Sequence, residues 1–238
     1  MSVHFAIPAT TFVLRAILQK RLEAAYGTFA PPPVSIEPPP RPPSGNGTPA
    51  PETPGLILYL HHAGPNPARR NMDGSHIDSS GAQLSRPPLV LDLHYMLAAQ
   101  GLGLEREVVL GIGMSAFNRN GIIPRKIIKA LMGTIVVPPV PTNLMDTLTA
   151  EPLDKQTDSI TISQQPVDID LSTKLWSALQ SPLRPTAFYL VTTVFLANED
   201  PVVEGEPVTN VRLFERAVVD AEVDLAGDAD AEITKPLP

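Results

Sequence analysis

Between Phe29 and Pro54 the chain carries eleven prolines, in clusters broken by Ser44-Gly45-Asn46-Gly47. Each proline lacks the main-chain N–H and holds φ at about −65°, so this stretch can be neither a helix nor a central strand. It reads as a long excursion, part of it polyproline II, serving as a surface loop or stiff spacer. Regular structure must come from the residues before Phe29 and those after Pro54.

Before the excursion, Leu14, Leu18 and Leu22 recur at helical spacing with Val13 and Ile17 beside them, while Arg15, Gln19, Lys20 and Glu23 take the other face. The pattern predicts a core-facing helix from Thr10 to Tyr26, stopped by Gly27. After it, Gly55-Leu56-Ile57-Leu58-Tyr59-Leu60-His61-His62-Ala63 reads as a central strand, since its apolar residues run nearly without interruption. Pro65 to Asn71 breaks it, and Asn71 to Pro87 is a second long loop. Pro88 to Leu97 begins as a strand and is expected to turn helical near Tyr95, where β-formers give way to helix-formers.

Helices are predicted for Glu105–Phe117, for Arg125–Met132 after Pro124, and for Asp170–Gln180 with Leu171, Leu175 and Leu179 four apart and Asp170 or Ser172 as cap. Asp158 to Gln164 alternates like an edge strand, Ala187–Leu196 is the strongest strand signal, and Val208–Val219 is a plausible last strand. Alternating strand and helix signals give an α/β fold, with α+β as the alternative: one mixed sheet of about four or five strands flanked by about four helices. The expected division is 1–200, with a Pro-rich insertion 29–54 and a loop 64–87, followed by an acidic extension 201–238.

Composition narrows the function classes. From Glu199 onward eleven carboxylates face three cations, a balance of −8 that leaves the preceding chain at +1. Such a tail repels a phosphate backbone, and no basic stripe compensates, so nucleic acid is not an expected partner. With no cysteine, disulfides, thiolate metal sites and thiol nucleophiles are excluded. No basic-then-apolar leader and no apolar run of spanning length is evident, so neither export by the usual signal nor a membrane span is expected.

The chemical motifs fail on context. Gly111-Ile112-Gly113-Met114-Ser115-Ala116 imitates a dinucleotide fingerprint, yet the first downstream acid is Asp146 and Pro124 interrupts the required βαβ unit. His61 and His62, adjacent on a strand, are expected on opposite faces and unable to share a metal. Asp92 and His94 share a face at i and i+2, so the carboxylate could orient the imidazole. No nucleophile motif accompanies them, and they read as polar residues that satisfy each other and nearby backbone. Trp176, the sole tryptophan, reads as a core or interface anchor.

These pieces, in this order, resemble the cap, or tail terminator, family of extracellular contractile injection systems, the phage-tail-like particles of the antifeeding-prophage and virulence-cassette type. The resemblance is carried by Leu58-Tyr59-Leu60 with His62, by Arg70-Asn71, by Asp92-Leu93-His94-Tyr95, by Asp170-Leu171 with Lys174-Leu175-Trp176-Ser177, and by Tyr189. It covers roughly residues 10 to 200 and leaves out the Pro-rich stretch and the acidic end.

The resemblance implies a structural protein rather than an enzyme, without cofactor. It would form a hexameric ring of its own copies that ends the growth of inner tube and sheath, assembled in the cytoplasm and released by lysis. Asp92, His94, Tyr95, Lys174 and Trp176 would be its structural motif. Sheath contact is expected by strand addition through Val208, Val211, Leu213, Phe214 and Val218, and tube contact through Asn66, Arg69, Arg70 and Asn71. The competing reading is a small α/β enzyme or ligand-binding domain using Asp92 and His94.

Overall fold

Helix α1 spans Ala6–Tyr26, four residues earlier than the periodicity predicts. Pro8 falls in its first turn, where the N–H it lacks would have no intrahelical partner, so proline does not bar this start. Val13, Leu14, Ile17, Leu18 and Leu22 are buried, and Gly27 ends the helix with φ +59° as its N–H returns to Glu23 O. The structure is a computed structural model that describes residues 5–41, 52–69, 89–135, 138–139, 142–148, 153 and 159–196. All of these lie in one unit, Met1–Asp200. The expected strand 208–219 and most of the loop 64–87 lie outside the described residues.

Six strands follow: β1 (Val34–Ser35), β2 (Gly55–Pro65), β3 (Leu89–Gln100), β4 (Ile122–Ile123), β5 (Ile160–Gln165) and β6 (Thr186–Leu196). Helices α2 (Glu105–Arg119), α3 (Arg125–Met132) and α4 (Ile169–Leu179) bring the described helices to four. The strands form a single mixed sheet in the order β1-β2-β3-β6-β5-β4, parallel between β1 and β2 and antiparallel elsewhere. The α/β class holds, with one strand more than expected. Two short edge strands were not expected, β4 between α2 and α3 and β1 inside the Pro-rich stretch. Val34 is its one buried residue, and α1 holds its backbone: Gln19 Oε1 accepts from Val34 N–H and Arg15 Nε donates to Val34 O.

β3 stays extended through Gln100 instead of turning helical at Tyr95. Nearly every residue from Leu89 to Gln100 is registered against β2 or β6. That two-sided pairing outweighs the helix preference of Met96, Leu97, Ala98 and Ala99. Its alternate residues Leu91, Leu93, Tyr95, Leu97 and Ala99 enter the main core under α1, α2 and α3, while Met96 and Ala98 face α4 with Ile57, Trp176 and Phe188. The sheet is thus covered by three helices on one face and by α4 on part of the other.

Of the two glycines in α2, only Gly113 is required for packing. A Cβ there would stand 2.9 Å from Leu56 Cδ2 and 3.1 Å from Leu97 Cδ2, whereas one at Gly111 meets nothing within 4 Å. The G-x-G pattern therefore marks close approach of a helix to the sheet, not a phosphate loop.

Candidate functional site

The sheet face that α4 leaves uncovered holds an unusual polar group. β2 carries one residue too many between Leu60, opposite Tyr95, and His62, opposite His94, so His61 is the extra residue of a bulge. The bulge defeats the expectation that His61 and His62 point apart. Both rings approach His94, with centroids 6.1 Å and 5.2 Å away, and the His61 ring also meets the Phe188 ring edge-on at 5.8 Å. Burial, then the neighbouring His94 and His62, pushes the His61 imidazole down to a pKa of about 4. Among the described residues, no group of three or more His, Cys, Asp or Glu side chains could hold a metal ion.

Asp92 and His94 do not brace each other. Asp92 Oδ1 accepts from Asn66 Nδ2 at 2.7 Å, and His94 Nδ1 lies 3.0 Å from Gln165 Oε1. Asn66 also donates its N–H to Val90 O, and its Oδ1 accepts from the N–H groups of Ala68 and Arg69. Asn66, one of the four residues expected to meet the tube, is therefore engaged in fastening the end of β2 to β3. Arg69 closes the short turn that Asn66 caps, while Arg70 and Asn71 lie outside the described residues.

Tyr95 points the opposite way, fully buried, with its hydroxyl 2.7 Å from Thr11 Oγ1 on α1. Burial raises its pKa well above the usual phenol range. On α4, Lys174 and Trp176 separate just as sharply. Lys174 is exposed and paired at 2.6 Å with exposed Asp170, whereas Trp176 is buried against the sheet. Asp168, not Asp170 or Ser172, occupies the N-cap, and no side chain bonds the cap there. Leu171 is exposed, so the leucine stripe is not the buried face as a whole.

One cluster escaped the sequence reading. Arg184 is 7% exposed, and its Nε and Nη2 donate to the Glu52 carboxylate, its Nη1 to Ser181 Oγ. Its guanidinium carbon lies 5.8 Å from the centre of the Trp176 ring. Ser181 Oγ in turn donates to Pro40 O, and Glu52 accepts weakly from Gly101 N–H. Hydrogen bonds from Arg184, the largest cause, hold the Glu52 carboxyl below its ordinary pKa. Both described ends of the Pro-rich excursion are thereby tied to the α4–β6 connection. No spacing rule links residues 52 and 184, although an arginine between two prolines after a helix hints at a fixed position.

A family model, the Pvc16 N-terminal domain, matches residues 9–210. The chain belongs to the Pvc16 N-terminal domain family. In this Pvc16 N-terminal domain, the matched span takes in the Asp92–Tyr95 and Lys174–Trp176 segments and both partners of the Arg184–Glu52 pair. Among solved structures, it is similar to the sheath/tube terminator of the PVC extracellular contractile injection system in its extended state, at 14% identity and TM-score 0.49 over 90% of this chain. It is similar also to the tube-terminating cap of the anti-feeding prophage, at 14% identity and TM-score 0.46 over 85% of this chain. The chain spans 65% and 59% of the length of those two proteins. No curated protein matches. No helix among the described residues is long and apolar enough to cross a membrane.

Proposed function

We propose that this chain is a structural terminator of a phage-tail-like contractile injection particle, a ring of six copies that ends the inner tube and sheath. The observation that carries the reading is the family match over residues 9–210, which includes the segments whose resemblance implies that role. The geometry at Asp92 and His94 agrees with a structural part: each is engaged with its own amide partner, and they do not form an acid–base dyad.

A growing sheath leaves unpaired strand edges on its last ring, and a terminator stops growth by pairing with them. In this reading Val208, Val211, Leu213, Phe214 and Val218 supply the added strand. Arg69, Arg70 and Asn71 contact the tube, with Asn66 shaping the turn that carries Arg69. Assembly takes place in the cytoplasm, and the particle leaves by lysis.

The test is assembly of tube and sheath with and without this chain, followed by electron microscopy of particle lengths. A bounded length distribution only in its presence is expected, and unbounded growth in its presence overturns the reading. Deleting the residues after Glu206 should abolish sheath capping while rings persist; unchanged capping removes the strand-addition step.

A further inference from the structure

Three of the chain's five histidines meet where β2 is most weakly held. β1 pairs only with Leu56 and Ile57, so among the described residues β2 from Leu58 onward is held by β3 alone. Beyond Leu58 none of its side chains is buried, and the bulge at His61 interrupts the ladder. A segment with one ladder, a broken register and no buried side chain is the part of a sheet that opens first. Its end is fastened by Asn66, through Asp92 and the Val90 carbonyl.

The imidazoles lie across the joint. His61 and His62 belong to the weakly held segment and His94 to β3, where Gln165 of β5 holds it. Half-buried His61 rests against Phe188 of β6. Little on this face can balance added positive charge. β2, β3, β5 and β6 contain no Lys or Arg, and Asp92 is their one carboxylate. It lies two residues from His94, opposite Gly64, with one oxygen taken by Asn66. Phe188 and Leu190 of β6, and Ser163 and Gln165 of β5, do not titrate; Tyr59, two residues before His61, brings no charge. On α4, Asp170 and Lys174 are exposed and paired with each other. Two or three imidazolium ions about 6 Å apart, set against a single carboxylate, repel one another.

We propose that His61, His62 and His94 form an acid-sensitive clasp: on taking up protons they part, and His61–Pro65 with the Asn66 turn leaves β3 while the rest of the sheet stays paired. The opening does not rest on the terminator reading. Its consequence does: Arg69 rides on this turn, so acid would free a tube contact from the sheet that positions it.

The direction follows from His61. Burial and the two neighbouring rings hold its pKa near 4 in the closed form, and departure of the strand returns it to about 6.5. The closed form binds the proton less well, so closure is fully supported above pH 6.5 and loses ground from there down to about pH 4. The open population at pH 5 should stand roughly twentyfold above that at pH 7.

Amide hydrogen exchange of the full chain at the two pH values, corrected for intrinsic rates, tests this. Protection within His61–Asn66 should fall roughly twentyfold, while Leu56–Leu58, on the other side of the bulge, should hold. His61→Gln should abolish the fall. An equal loss on both sides of the bulge, no loss, or a loss retained in His61→Gln overturns the clasp. Ring resonances of the unmutated chain give a second readout that needs no variant: the imidazoles should titrate over the pH range in which protection is lost, and titration without that loss overturns it too. A chain that opens in acid but does not cap particles keeps the clasp and loses the terminator reading; one that caps but does not open does the reverse.

Discussion

Arg184 and Glu52, separated by 132 positions in the chain, form a charged pair in which the arginine is almost wholly buried and the glutamate side chain is 37% exposed. The two partners should therefore respond unequally to removal. Glu52→Ala strands a buried guanidinium and should cost about 2–4 kcal/mol, whereas Arg184→Met leaves a carboxylate that water can reach and should cost about 1 kcal/mol. Urea unfolding of the two variants gives the order; a larger loss for Arg184→Met would mean that burial of the guanidinium is not what counts.

Acid should weaken the fold in two stages. His61 has its pKa depressed to about 4. Below about pH 6.5 the unfolded chain therefore takes up this proton before the folded one, and stability falls until about pH 4. Glu52, also depressed, contributes stability that is present above its ordinary carboxyl range and disappears as pH drops through its folded pKa. Unfolding midpoints measured from pH 7 to pH 3 should show both stages, and His61→Gln should remove the first alone. An unchanged profile in that variant would assign the upper stage elsewhere.

The two glycines of α2 should behave oppositely. Gly111→Ala meets open space and gains helix propensity, so it should stabilise by up to about 1 kcal/mol. Gly113→Ala must push Leu56 and Leu97 aside in the core, and overpacking should outweigh the same gain, a net loss of about 1 kcal/mol. Thermal melts of both variants decide it.

Trp176 should be valued for its ring and not for its N–H. Its indole Nε1 is buried without a hydrogen-bond partner, while the ring packs beneath Arg184 and beside Met96, Ala98 and Phe188. Trp176→Phe should cost about 1–2 kcal/mol and Trp176→Ala about 3–5 kcal/mol. As the sole tryptophan it also gives a clean signal: blue-shifted emission in the folded chain that moves red when α4 leaves the sheet.

What could be read from the chain followed from local causes. The α1 stripe, the Gly27 stop, the short helix after Pro124 and the run Ala187–Leu196 are all set by neighbours within a few residues, and the structure places them accordingly. The misreadings share a different cause. β3 was expected to turn helical because its own residues prefer it, and only pairing with β2 and β6 holds it straight. His61 and His62 converge because of a bulge that no local residue announces. Arg184 meets Glu52 through the tertiary fold alone. At Asp92 and His94 the shared face was legible, but their partners Asn66 and Gln165 come from other strands or turns.

The strand order carries a consequence for how the chain is made. β6 comes last among the described strands yet lies in the middle of the sheet, between β3 and β5. Until Thr186–Leu196 has left the ribosome, β3 has one unpaired edge and β4 with β5 has no bridge to the rest. Closing β3 onto β6 also means spanning on the order of a hundred residues, a slow step for any chain. The nascent protein must therefore pass through a window in which a long apolar edge is exposed and prone to joining other chains. Any truncation before Leu196 should leave it there, as an insoluble half-sheet rather than a smaller domain.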